Sequence, residues 1–279
     1  MRLRGVRGSR NVEDRRGQRR RGGGIQIGGL GLVALLAIGY FTGIDVTPLL
    51  QQQGGGQVNA PQEISAEEQR AAEFSSRVLA TTEDVWSKVF PQQVGQPYRP
   101  PVLVLYSGVT QSPCGGASGA TGPFYCPADN KAYLDTQFFE TLSRGLGARG
   151  DFAAAYVIAH EVAHHVQNEL GILPRVNQMR QRVSREESNA LTVRLELQAD
   201  CLSGVWARAV QGLLEPGDLR EALNAARMIG DDHLQRRAGR VPQPHTFTHG
   251  TSDQRERWFE RGYSSGDMNR CDTFGARQL

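Results

Sequence analysis

Apolar and polar positions divide the chain into three stretches. From Ile25 to Ile44 no residue carries a charge, and only Gln26 and Thr42 are clearly polar. Residues 45–64, with Gln51-Gln52-Gln53-Gly54-Gly55-Gly56-Gln57 at their centre, are polar and glycine-rich and read as a flexible linker. From Ser65 the mixture becomes globular. Ser65-Ala66-Glu67-Glu68 opens a helix predicted to run to about Lys88. Pro100-Pro101 interrupts, and Val102–Tyr106 has the apolar run of a strand. Residues 107–123 are rich in Gly and Ser and read as loop. Phe124-Tyr125-Cys126 and Ala132-Tyr133-Leu134 read as short strands around a turn at Pro127-Ala128-Asp129-Asn130. From Gln137 onward the pattern is mostly helical. Gly150 breaks the chain, Asp151 is placed to cap, and Phe152 through Asn168 contains no Pro or Gly. No internal repeat is found. The expectation is an α+β domain over 65–279, mostly helical with a small N-terminal sheet.

Charge changes how the first 44 residues are read. The whole chain carries +3. Residues 1–24 hold nine arginines (2, 4, 7, 10, 15, 16, 19, 20 and 21) against Glu13 and Asp14. That segment is therefore about +7 and the remainder about −4. The basic pI of 8.8 thus belongs to the N-terminal segment, and it does not by itself point to nucleic acid. A 20-residue apolar helix matches a bilayer, with Tyr40 and Phe41 where interfacial aromatics would sit. The reading is a basic cytoplasmic tail over 1–24 facing anionic lipid, a single transmembrane anchor over 25–44, and a domain on the far side. A mean hydropathy of −0.44 excludes a multi-span membrane protein. The four cysteines (114, 126, 201 and 271) suit two disulfides in an exported domain. Cys114 with Cys126 would close a small glycine-rich loop, and Cys201 with Cys271 would then tie down the C-terminus; the sequence leaves the pairing open.

The candidate chemistry begins at His160-Glu161-Val162-Ala163-His164. Two histidines four apart share a helical face and can reach one metal, for which neutral imidazole suits zinc. Glu161 then sits beside the metal and not on it. By chance alone, roughly one chain in a hundred of this length would carry the pattern. A second pair strengthens it: Glu196 and Asp200, again four apart in Arg194–Asp200, which reads as helix. Glu196 completes a His-His-Glu ligand set with an open fourth position. Asp200 is placed to hold a ligand imidazole by its other nitrogen. His165 lies one position off the ligand face and reads as a support to a ligand or as structural.

These residues carry a resemblance. Gly150-Asp151-Phe152 leading into His160–Gln167, then Leu195–Cys201, Ile229–Gln235 and Thr248–Arg255, are similar to the bacterial neutral zinc metallopeptidase family, with His-Glu-x-x-His plus Glu-x-x-x-Asp as in gluzincins. The resemblance spans nearly the whole chain, basic segment and anchor included. It implies a zincin-like α+β fold, bound Zn²⁺, peptide or protein substrates, and residence in a bacterial inner membrane with the domain on the periplasmic side. Glu161 would be the general base. His249 is the first candidate for stabilising the oxyanion, since Thr251-Ser252-Asp253-Gln254 is a capping box that would fix its loop. His233, His245, Tyr133 and Tyr263 are alternatives. Arg255 would orient a substrate carbonyl or brace the fold, the second being favoured. By analogy with zincins, the strands near Phe124 or Ala132 would receive an extended peptide.

The competing reading is a membrane-tethered zinc-binding protein without catalysis. Glu161 discriminates, because a structural zinc is usually closed by four protein ligands and needs no base. DNA binding by the arginines is excluded on this reading, because the segment abuts a membrane anchor.

Overall fold

The structure, a computed structural model, describes residues 1–17, 64–118 and 122–279. In chain order it contains strand β1 (Val12–Asp14), helix α1 (Ala66–Val94), strands β2 (Val102–Tyr106), β3 (Val109–Ser112), β4 (Gly115–Ser118), β5 (Phe124–Cys126) and β6 (Lys131–Asp135), then helices α2 (Asp151–Glu169), α3 (Ile172–Arg180), α4 (Arg185–Ala209), α5 (Asp218–Met228), α6 (Asp231–Arg237) and α7 (Ser252–Ser265). The α+β expectation holds. Ser65 caps α1 through the predicted box with Glu68, but the helix runs six residues past Lys88, with Pro91 in its last turn and Gly95 closing it in the left-handed region. Asp151 is the first residue of α2 and not its cap. Gly150, at φ 106°, takes that position. Residues 107–123 are not all loop, since β3 and β4 pair there as an antiparallel hairpin. Their sparse apolar content left no alternation to read.

The main sheet has the order β1-β2-β6-β5. β1, β2 and β6 are parallel, and β5 runs antiparallel at the edge. The inner strands β2 and β6 are buried almost throughout. Helix α2 is the centre of the molecule. Residues Phe152 to Ala163 are all buried, and five alanines among them let α1, α4 and α5 approach closely. Helices α4 and α7 meet at glycines: a Cβ on Gly262 would stand 1.8 Å from the Cys201 carbonyl oxygen, and one on Gly204 2.1 Å from that of Phe259. Disulfides join Cys114 to Cys126 and Cys201 to Cys271, the pairing that local closure suggested.

The reading of residues 1–24 as a tail apart from the domain is corrected for residues 1–17. Val12, Glu13 and Asp14 pair in register with Leu103, Val104 and Leu105. The arginines meet carboxylates of the chain itself: Arg7 with Glu83 and Asp84, Arg15 with Glu13, Arg16 with Asp14. Glu83, buried on α1, also accepts from Ser9 and Asn11. The Met1 amino group lies 2.8 Å from Asp151 and 3.2 Å from Asp218. A tail on one face of a membrane with the domain on the other would separate β1 from β2, which are hydrogen-bonded neighbours. The apolar stretch 25–44 and the linker 45–63 lie outside the described residues. Among the described residues no helix is long and apolar enough to cross a membrane.

Candidate metal centre

Helices α2 and α4 cross so that the two i, i+4 pairs face one another. Nε2 of His160 lies 3.1 Å from Oε2 of Glu196, and Nε2 of His164 lies 3.4 Å from Oε1. The three side chains offer ligand atoms all within 4.8 Å of one another. The structure thus brings the three candidate ligands His160, His164 and Glu196 into one cluster. Two imidazoles and one carboxylate are a donor set suited to zinc, and a set of three would leave a fourth position for water or substrate. Glu161 is 9% exposed, on the same helix between the two histidines.

Electrostatics favour a cation there. Burial opposes protonation of His160, yet its contacts with Asp200 and Glu196 carry its pKa up to about 10. Burial also resists ionisation of Glu196, but the charges of His164 and His160 hold its carboxyl well below the usual range. Burial raises Glu161 above an ordinary carboxyl. A pH dependence follows for the metal-free protein. A histidine whose folded pKa is raised contributes stability in full below its unfolded value of 6.5, and loses it as pH rises towards 10. The melting temperature of chelator-treated protein is expected to fall between pH 6 and pH 10, read by thermal denaturation across that range. A flat profile would contradict the paired state of His160.

Each of the two histidines has a partner behind it. Nδ1 of His160 lies 3.0 Å from Oδ1 of Asp200, an ion-pair contact and not a hydrogen bond. Nδ1 of His164 is 2.9 Å from Oε1 of Gln167, whose amide donates to the Leu195 carbonyl and to Gln198 on α4. The sequence reading missed Gln167. Its position three residues after His164 was the available signal. His165 is structural as expected: it contacts the Tyr125 hydroxyl at 2.9 Å and the Arg99 carbonyl at 2.6 Å, and burial keeps it neutral. It ties α2 to the edge strand β5.

His249 stands in the loop before α7, half-exposed, with Nδ1 3.2 Å from Asp231. One oxygen of Asp231 accepts the backbone N–H groups of Thr248, His249 and Gly250. Thr251 caps α7 through the expected box with Gln254. A Cβ on Gly250 would touch Leu197, next to Glu196, and Val193, three residues before it, so the loop rests against the turn that carries Glu196. His249 and Glu196 accordingly shift each other's titration. The alternatives fare differently. The Tyr133 hydroxyl is committed to Asp129 at 2.6 Å. His245 is exposed and gives its carbonyl to Asn189. His233 lies on α6 and Tyr263 beside the α4–α7 crossing, and neither belongs to the metal cluster. Arg255 is 1% exposed and paired with Asp200, which makes it a brace and not a substrate contact.

The chain thus sets a buried His-Glu-x-x-His helix against a carboxylate on the next long helix. The family described as "Putative neutral zinc metallopeptidase" matches residues 1–274, and the chain belongs to it. It is similar to Uncharacterized protein YpfJ of Escherichia coli (strain K12), 49% identical over 290 residues and 99% of each chain. It is also similar to Uncharacterized protein Rv2575 of Mycobacterium tuberculosis (strain ATCC 25618 / H37Rv), 42% identical over 219 residues, covering 73% of this chain and 71% of that one. No solved structure matches it.

Proposed function

We propose that the protein is a zinc-dependent peptidase that hydrolyses peptide bonds in peptide or protein substrates. The observation that carries this reading is the convergence of His160, His164 and Glu196, with the buried Glu161 next to His160 on the same helix. The donor set fits zinc, which when bound supplies polarisation of the scissile carbonyl and acidification of a water. Glu161 accepts the proton of the attacking water and delivers it to the leaving amine. Gln167 and Asp200 keep the two imidazoles oriented. His249, steered by Asp231, donates to the oxygen that becomes negative as the carbonyl carbon turns tetrahedral. The edge strand β5, tethered to α2 through Tyr125 and His165, offers backbone groups to an extended substrate.

The test is to purify the protein, measure bound zinc, and follow cleavage of an unstructured protein before and after chelation and zinc return. A protein that binds no zinc, or cleaves equally without it, refutes the reading. His249→Ala is expected to lower kcat/KM about 10²–10³-fold with zinc retained. An unchanged value would remove His249 from catalysis.

The two disulfides support action in an oxidising compartment, outside the cytoplasm of a bacterial cell, with 25–44 holding the protein at the membrane. On this reading residues 1–17 share that compartment with the domain, because β1 belongs to its sheet. Cysteines placed at Val12 and Leu103, a paired position, are expected to cross-link in intact cells. Failure to do so with the domain folded would put the segment elsewhere.

A further inference from the structure

Asp200 is held by far more than a carboxylate needs in order to steer one imidazole. Its side chain is fully buried. Oδ1 accepts from the Tyr156 hydroxyl at 2.5 Å and from Nη2 of Arg255 at 2.9 Å, while Oδ2 accepts from Nε of Arg255 at 2.9 Å. Nη2 of Arg255 is also 3.2 Å from the Tyr156 oxygen, and Nη1 reaches the Ile229 carbonyl at 3.4 Å. Tyr156 is fully buried, and it lies one turn before His160 on α2. The planar guanidinium grips the carboxylate in a two-pronged fork and the phenol closes its remaining side, so rotation of Asp200 is blocked from both α2 and α7.

We infer that Tyr156 and Arg255 are positioning residues of the metal centre, fixing the Asp200 carboxylate so that Asp200 fixes the ring of His160. The inference rests on the zinc reading above and extends it. A buried ion pair contributes little to stability compared with apolar packing of the same volume. A Tyr–Arg–Asp cluster in the core of this molecule is therefore better accounted for by the geometry it imposes. Arg255 is closed off from solvent, so it acts through Asp200 and touches no substrate. It also links the two parts of the site: Arg255 sits in the first turn of α7, and the loop that caps this helix carries His249.

The experiment compares the full chain with Tyr156→Phe and Arg255→Lys. Zinc affinity is measured by chelator competition, the visible spectrum is taken on cobalt(II)-substituted protein, and melting is followed without metal. Tyr156→Phe keeps the ring packed on Phe259 and removes one donor; Arg255→Lys keeps the charge and removes the fork. Both are expected to bind zinc about 10–100-fold more weakly and to shift the cobalt band, which reports ligand geometry. If both bind zinc with wild-type affinity and an unchanged cobalt spectrum, the inference is overturned whatever their melting temperatures, and the cluster merely braces the fold. Should Arg255→Lys fail to fold, Tyr156→Phe decides alone. A wild-type protein that binds no zinc refutes the zinc reading itself, a failure distinct from unaltered affinity in the variants.

Discussion

Glu161→Gln is expected to lower kcat/KM for peptide hydrolysis about 10²–10⁴-fold while the protein keeps its full complement of zinc. The amide is nearly the same size as the carboxylate, so the packing of α2, buried from Phe152 to Ala163, should survive. What it loses is the ability to take a proton. Burial lifts the Glu161 carboxyl above the ordinary range, towards the pH at which a base both holds the right protonation state and accepts a proton readily. The other carboxylates nearby are already occupied: Glu196 contacts both histidines, and Asp200 is gripped by Arg255 and Tyr156. None of them stands ready as a substitute. The measurement is single-turnover cleavage alongside zinc content. A variant with full zinc and wild-type turnover would sink the mechanism while leaving the metal site intact.

Glu196→Ala should produce the opposite pattern, a protein that folds but does not retain zinc. It removes one of the three proposed ligands, so affinity is expected to fall by more than the roughly 10–100-fold typical of losing an outer partner. Activity should disappear with the metal and return only at high zinc concentration. Without Glu196 the two histidines also lose a buried counter-charge, so the metal-free variant should melt below metal-free wild type at pH 6. Zinc titration followed by calorimetry distinguishes this outcome from retention of tight binding, which would show that Glu196 is no ligand. Together the two variants separate the base from the metal.

The parts of the site that were legible in the sequence are those set by helical spacing. His160 with His164 and Glu196 with Asp200 each repeat at four residues, and that interval alone decides that both members face one way. The Thr251–Gln254 box was legible for the same reason, being a local bargain between side chain and backbone. What escaped depends on contacts between distant segments. Gln167 looked like an ordinary helix residue until the Leu195 carbonyl was opposite it. Asp231 carries no signal of its own, because its partners lie at 248–250. Tyr156 and Arg255, 99 residues apart, meet only through the crossing of α2, α4 and α7. The N-terminal arginines misled most. Counted as charge they resemble a tail seeking lipid, yet Glu83 and Asp84 on α1 and Glu13 and Asp14 nearby were there to receive three of them. Composition reports how many charges a segment carries and nothing about which are already answered within the chain.

Strand β1 has a further consequence for the chain as a whole. Residues 15–101, helix α1 among them, separate it in sequence from its partner β2, so the strand acts as a peptide ligand covalently joined to its own sheet. Its occupancy depends on the local concentration that covalent linkage imposes, as much as on the contacts of Val12–Asp14. Severing that linkage removes the advantage. A chain lacking residues 1–17 would need the corresponding free peptide to refill the vacant edge of β2.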